Sequence, residues 1–303
     1  MLDKCCISIN SHCNFCCKYC HFYENDSLNM PTIKPLDNDK LSIILRRILE
    51  YSNANNLKKF TIGFAGGGEP LLDWKWLSKS IELIKNRDVN KRLYFYIITN
   101  GVLVNDEFLH DYQRFTEYSH LIISLDGDKE THDCNRIDKN KQGTHEKVMH
   151  NIALYKHKFG KMPAINLTVG KLALKNKENI LRFLETHRLN NITFTRLFHC
   201  QNKEQEITQE AFCEFIDFFN YPSLTIRNIQ AQKDKKKDCI MYGNVCGVGH
   251  NNVFYFNDKI YPCMRFVEDE KCVLGKYDDE LISVQKRMES LIKPVKECYY
   301  EEY

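Results

Sequence analysis

Cys13, Cys17 and Cys20 stand in one loop as Cys-x3-Cys-x2-Cys, with Cys16 as an additional thiol inside it. Three thiolates on so short a loop can each bind one iron of a 4Fe-4S cubane, which leaves the fourth iron open to an outside ligand. A zinc site, which ordinarily takes four ligands or three and a water, and plain buried cysteines are the other readings of the loop taken alone. Further on, Cys239-x6-Cys246-x16-Cys263 and Cys298 form a second set. The chain carries fourteen cysteines, and it opens Met-Leu-Asp-Lys-Cys-Cys, without the basic stretch and apolar run of an export signal. A cytoplasmic location is therefore expected, where thiols serve as metal or cluster ligands more often than as disulfides.

Such loops need elements to hold them. Short β-branched and aromatic runs alternate with stretches of helical period, the pattern of consecutive βα units and a parallel sheet. Strands are expected at 5–9, 60–64, 93–98, 121–124, 165–169 and 192–196, and helices at 40–52, 74–86, 106–116, 145–157, 177–187 and 209–219. The alternation stops after Pro222, and 233–238 is the charge run Lys-Asp-Lys-Lys-Lys-Asp, which reads as solvated surface. The expected organisation is an α/β unit over 1–222, a linker over 223–238 and a small unit over 239–303. The last contains a hairpin of 253–256 and 259–261 around Asn257-Asp258, a short strand at 273–276 and a helix at 279–292. Its core would be thin, and a metal staple is expected there.

Three polar turns follow the second, third and fourth strands: Gly66-Gly67-Gly68-Glu69-Pro70, Asn100-Gly101 and Ser124-Leu125-Asp126-Gly127. Each is an ordinary turn composition by itself. Together with the cysteine loop they all lie at carboxyl ends of parallel strands, the edge where α/β sheets and barrels bind ligands.

With these motifs, and Tyr19 immediately before the last cysteine of the loop, residues 1 to about 200 resemble a radical S-adenosylmethionine enzyme. The resemblance implies a partial (β/α)6 TIM barrel and a 4Fe-4S cluster on Cys13, Cys17 and Cys20, with S-adenosylmethionine on the open iron. It places Gly67, Gly68 and Glu69 near the methionyl amino group, Tyr19 near the adenine and Ser124 near the ribose, and includes Asn100 among the cofactor-binding residues. Asp133-Cys-Asn-Arg136 and Gln142-Gly-Thr144 are similar to the same stretch in anaerobic sulfatase-maturating and peptide-maturating members, where an arginine meets the cofactor carboxylate. Arg136 takes that role by resemblance, with a surface loop arginine as the plain alternative. Cys239, Cys246, Tyr261-Pro262-Cys263 and Cys298 resemble the SPASM or twitch extension, which implies one auxiliary 4Fe-4S cluster, closed because four thiolates fill every iron. A structural zinc is the alternative, and Cys272 is the rival fourth ligand.

The expected activity is oxidative modification, with a crosslink preferred, of a ribosomally made peptide, fed by an external donor such as flavodoxin or ferredoxin. A twitch-type dehydrogenase of a small molecule and a non-catalytic cysteine-metal module are the alternatives. Sulfatase maturases carry an aspartate directly after the hairpin cysteine as proton acceptor and a polar residue before Gly-Gly-Glu-Pro. This chain has Met264 and Gly66 there, so formylglycine formation is not expected. No stretch precedes the first strand in which a leader-binding domain is expected.

Forty-three basic against forty acidic residues give a net charge of +3, without the basic footprint of a nucleic-acid binder. No apolar run approaches the ~18 residues that span a bilayer. Cys5, Cys6, Cys16, Cys134, Cys200 and Cys213 are expected in the core, as are Phe212, Phe215, Phe218 and Phe219 at helical spacing. Arg196 and His199 face either the mouth of the barrel or its helices.

Overall fold

The structure is a computed structural model; it describes residues 1–20, 22–24, 27–28, 36–197, 203–233, 248–267 and 269–292. The strands are β1 (Lys4–Ile7), β2 (Tyr23–Glu24), β3 (Ser27–Leu28), β4 (Phe60–Phe64), β5 (Leu93–Thr99), β6 (Ser119–Ser124), β7 (Ala164–Val169), β8 (Asn191–Arg196), β9 (Thr225–Ile226), β10 (Asn252–Phe256), β11 (Lys259–Tyr261) and β12 (Gly275–Lys276). The helices are α1 (Asn38–Ala54), α2 (Trp74–Arg87), α3 (Asp106–Tyr112), α4 (Lys129–Asn135), α5 (His145–Phe159), α6 (Lys171–Lys175), α7 (Lys177–Thr186), α8 (Gln209–Phe218), α9 (Arg227–Lys233) and α10 (Leu281–Leu291).

One sheet runs β12-β11-β10-β1-β4-β5-β6-β7-β8-β9, parallel from β10 to β9. Successive strands are neighbours from β4 onward and each crossover carries helix, which is the partial barrel expected from the sequence. In β5 the burial alternates residue by residue. Leu93, Phe95 and Ile97 are buried under the helices, while Tyr94, Tyr96 and Ile98 line the hollow and keep some exposure. Helix starts are capped by the residues that supply a side-chain oxygen: Asp37 accepts from the Lys40 amide, Asn105 from Phe108, Asp128 from Thr131 and Thr208 from Ala211.

The six expected barrel strands and their six helices are present within a few residues of their expected bounds; α3 is shorter, its continuation tightening into a 3₁₀ turn at Gln113–Phe115. Sequence periodicity did not anticipate α4 and α6, which span seven and five residues and are too short to display a helical stripe. The alternation also continues past Pro222, through β9 and α9. The hairpin of β10 and β11 turns at Asn257 and Asp258 with φ of 47° and 66°, the left-handed pair that a two-residue turn requires. The short strand expected at 273–276 is only β12. Because β10 pairs in parallel with β1, the hairpin prolongs the barrel sheet, and Lys40 on α1 clamps it with an ion pair to Asp258 at 2.7 Å.

Phe194 packs edge-on against Phe215 at 5.1 Å, and Phe212, Phe215 and Phe219 are buried between β8 and α8, with Phe218 at the margin. Arg196 shares the helix-facing side of β8 with Ile192 and Phe194, and its charge is felt by Glu210 and Cys213 on α8. Of the two readings of Arg196, the structure selects helix packing; His199 and Cys200 lie outside the described residues. Cys5 is buried in the core, whereas Cys134 is exposed on α4. No described helix is long and apolar enough to cross a membrane.

Candidate active site

The cysteine loop leaves β1 at the carboxyl edge of the sheet and is laced to the segment after α4. Cys16 N–H donates to Ile137 O at 2.8 Å and Lys18 N–H to Asn135 O at 3.0 Å, which brings the Asp133-to-Arg136 stretch beside a loop more than a hundred residues earlier. Within the loop, Cys20 N–H donates to Cys17 O at 3.0 Å and Phe15 N–H to the Cys13 sulfur at 3.4 Å. Burial, followed by the charge of Glu69, pushes the Cys13 thiol up to about 12. Burial also raises Cys17, with Cys20 and Cys13 adding to the rise and Arg136 opposing it. Cys13 and Cys17 therefore sense Cys20 and are raised by burial, and the ionised forms of these two are disfavoured without a compensating positive charge. A thiophilic cation or cluster core supplies that charge, since a coordinated thiol is deprotonated outright. A single ion with metal–sulfur bonds of about 2.3 Å would need its donors drawn tightly together. Among the described residues, no three His, Cys, Asp or Glu side chains are gathered that way. Three thiolates on one short loop are the donor type that a 4Fe-4S core takes, one thiolate per iron.

The second loop, after β4, is built around a buried carboxylate. Glu69 accepts from Leu71 N–H at 3.1 Å, Thr99 Oγ1 at 2.7 Å and Asn100 N–H at 2.7 Å. Burial raises its pKa and these donors pull it back. A carboxylate has about four lone-pair sites, so one more cationic donor can be taken. Gly68 has to be glycine: a Cβ there would lie 1.8 Å from Asn10 Oδ1 and 2.6 Å from the His12 carbonyl oxygen. Asn10 itself donates to Glu69 O at 2.8 Å and to Asp73 Oδ2 at 2.7 Å, while its buried Oδ1 has no donor. Gly67 N–H donates to Ser8 Oγ at 3.1 Å. Asn100 reaches across to Asn14 Oδ1 at 2.6 Å, with the Cys13 sulfur at 3.9 Å, and so ties the third turn to the cysteine loop.

A third network centres on Asp126, which is buried at the end of β6. It accepts from the Tyr19 hydroxyl, from Arg136 Nε at 3.0 Å and from Thr168 N–H at 3.0 Å. Arg136 also donates to Thr168 Oγ1 at 3.4 Å and lies 5.4 Å from the centre of the Tyr19 ring. At 8% exposure it is no surface arginine. Burial works against its charge, but Asp126, then Tyr19 and Cys17, hold the guanidinium more firmly protonated than usual. Ser124, two residues before Asp126, is buried in register with Asn166 of β7. The structure thus gathers Cys13, Asn100, Glu69 and Gly68 in one group and Cys17, Tyr19 and Arg136 in a second, on the same sheet edge.

In the sequence Asp126 reads as part of a turn; in the structure it is the hub of the second group, and His132, which no sequence motif marks, braces it. His132 Nδ1 accepts from Asp126 N–H at 3.2 Å, so Nε2 carries the proton and donates to Thr144 Oγ1 at 3.0 Å, which donates to Arg136 O at 2.9 Å. Burial first, then Arg136 and His145, push this imidazole well below its usual range and keep it neutral. Above ~6.5 folded and unfolded chains agree; below it the unfolded chain takes up a proton that folded His132 refuses. Stability should therefore fall between pH 7 and 5, by up to about 1.4 kcal/mol per pH unit from this group. Urea midpoints across that range should drop less steeply in His132→Gln than in the wild type, and an unchanged slope would remove His132 as the source.

At the other end of the chain, Cys263 follows β11, and its charge is felt by Cys6 on β1. A small apolar cluster of Phe22, Phe254, Phe256, Tyr261 and Val267, with Cys6, Cys20 and Met264 packed against it, joins the cysteine loop to the hairpin. Cys272 is buried, with its sulfur 3.5 Å from Asp269 Oδ2. Cys239, Cys246 and Cys298 lie outside the described residues.

The curated relatives include a cysteine-type anaerobic sulfatase-maturating enzyme of Clostridium novyi, 27% identical over 281 residues, covering 86% of this chain and 73% of that protein. A serine-type counterpart from Bacteroides thetaiotaomicron is 30% identical over 149 residues, 49% of this chain and 35% of its own. Among solved structures, "Native anSMEcpe with bound AdoMet" superposes with a TM-score of 0.78 at 21% identity, covering 95% of this chain and 82% of that one. Streptococcus suis SuiB bound to S-adenosylmethionine gives 0.63 at 14%, covering 98% and 65%. At these identities the superpositions establish the shared partial barrel. The Radical SAM superfamily model matches residues 7–187, more than half of the sequence, and the chain belongs to that superfamily.

Proposed function

We propose that this chain modifies a peptide oxidatively, most simply by a crosslink, with Cys13, Cys17 and Cys20 holding the radical-generating cluster. Superfamily membership implies a 4Fe-4S cluster and S-adenosylmethionine, which when bound and reduced supply a 5′-deoxyadenosyl radical. Glu69 keeps one acceptor site for the methionyl ammonium beside Gly67 and Gly68. Arg136, fixed by Asp126 through Nε, has Nη1 to offer a carboxylate, a task suited to a rigid guanidinium. Tyr19 and Ser124 flank the places of the adenine and ribose, and Asn100 holds the Cys13 loop. We assign an auxiliary 4Fe-4S cluster to Cys239, Cys246, Cys263 and Cys298, in a unit spanning 239–303, and an external flavodoxin or ferredoxin as electron donor.

The observation that carries the peptide reading is the similarity to a sulfatase-maturating enzyme over 86% of this chain. Met264, a thioether in the position after Cys263, supports an outcome other than formylglycine. The test uses reduced enzyme, S-adenosylmethionine and the peptide encoded by a short reading frame neighbouring its gene. A product lighter by two hydrogens, with one new bond located by fragmentation, is expected; an unaltered peptide under conditions where the cofactor is cleaved would overturn the reading.

A further inference from the structure

The hollow of the barrel has a second mouth, opposite the edge that carries the cysteine loop. A cavity of about 760 Å³ opens there, among the first residues of the strands: Lys4 on β1, Thr61 on β4, Tyr94 on β5, His120 on β6 and Thr193 on β8. That volume lies within the usual range for small-molecule sites, roughly 300 to 1,000 Å³. A full barrel of this type fills its interior with packed branched side chains. Here the inward positions Tyr94, Tyr96, Ile98, Ile122 and Asn166 are only half-buried, so the hollow is lined without being filled. Tyr96 can fold flat against the wall because β4 has Gly63 opposite, where a Cβ would come within 2.1 Å of the phenol ring.

Ile98 and Ile122 give the hollow an apolar wall beside the polar Asn166 and Thr193, and Ile98 directly precedes Thr99, the hydroxyl that bonds Glu69. Around the rim are Lys4, Lys59 and Arg227, with His120 and His250 beside them. Asp3 is the one acid among the described lining residues, and Asn251 Nδ2 donates to it at 2.9 Å. Arg227 is braced by Asn191 through Nε at 2.9 Å, and the Lys59 ammonium is parked 4.5 Å from the centre of the Tyr94 ring. These cations therefore have fixed positions. Partial burial, then Arg227, Lys59 and Lys161, depress the pKa of His120, as a positive field at this mouth demands.

We infer that the amino-terminal mouth of the barrel is a binding site for a carboxylate with an apolar body, its anionic group held among Lys4, Lys59 and Arg227 and its apolar part directed toward Ile98 and Ile122. Either the carboxyl terminus of a peptide ending in an apolar residue or a free medium-chain acid has that chemistry. The site is separate from the cofactor edge and stands whether or not the proposed peptide modification is correct.

Calorimetric titration of the reconstituted protein tests this with three probes: acetyl-Ala-Leu-Leu as the free acid, the same tripeptide as its amide, and octanoate. Saturable binding of at least one acid is expected, with the amide at least tenfold weaker than the tripeptide acid and the affinity falling as salt rises. Lys4→Gln/Lys59→Gln should weaken the acids at least tenfold, as should Arg227→Gln, at melting temperatures close to the wild type. Lys75→Gln/Lys79→Gln on α2 removes the same charge elsewhere and should leave affinity unchanged. Stronger binding of the tripeptide acid than of octanoate assigns the site to a peptide end, and the reverse order to a free acid. No saturable binding of either acid, equal affinity for acid and amide, or equal loss in the α2 control would overturn the inference.

Discussion

Replacing Cys13, Cys17 and Cys20 together by alanine should halve the iron and sulfide of anaerobically reconstituted protein, from about eight of each per chain to about four, if each cysteine set binds one cubane. Cys16, whose N–H donates to Ile137 O on the strand-like segment after α4, is the one other thiol of the loop, and it is left in place in this variant. The remaining iron should then respond to the other set. Cys298→Ala should abolish the second cluster's spectral signature, and Cys272→Ala, which removes a buried thiol lying against Asp269, should not. Iron content unchanged in the triple variant would contradict the assignment of Cys13, Cys17 and Cys20, and the reverse result in the single variants would give the fourth auxiliary ligand to Cys272.

A sulfatase-type Cys-x-Pro-x-Arg peptide incubated with reduced enzyme and S-adenosylmethionine should yield no aldehyde on hydrazide labelling. Formylglycine formation needs a base within hydrogen-bond reach of the substrate thiol or hydroxyl. The position after the hairpin cysteine, where the resemblance to sulfatase maturases calls for an aspartate, is Met264, opening a 3₁₀ turn of Met264–Phe266 and packed against the cluster of Phe22, Phe254 and Tyr261. A thioether has no titratable proton. Gly66, with φ of 134° and packed close to Ser8 and Phe254, likewise offers no side chain to hold such a peptide. Clear aldehyde formation would show that another group takes the proton and that Met264 does not bar the reaction.

The barrel was legible because its strands and most of its helices are long enough to display their periods: β5 alternates over seven residues, and α1 and α2 carry apolar stripes over seventeen and fourteen. The cysteine spacing and the turn compositions pointed to the carboxyl edge of the sheet, where the structure brings these segments together. What stayed hidden depends on contacts between distant segments. Asp126 is an ordinary turn aspartate until Tyr19 and Arg136 both reach it, and a lone His132 in a seven-residue helix has no local pattern that distinguishes it. Arg136 could be read as surface because its neighbours are polar; its burial comes from the cysteine loop folded over it. The basic mouth had no motif, since Lys4, Lys59 and Arg227 are separated by most of the chain and meet only because β1, β4 and β9 begin at the same end of the sheet.

The central claim is that the edge carrying Cys13, Glu69 and Arg136 binds S-adenosylmethionine for homolytic cleavage. Its most direct test is chromatography of the products after dithionite reduction of the reconstituted enzyme with S-adenosylmethionine alone. Release of 5′-deoxyadenosine and methionine in equal amounts is predicted. Formation of S-adenosylhomocysteine without 5′-deoxyadenosine, or an intact cofactor in protein that holds its full iron, would contradict it.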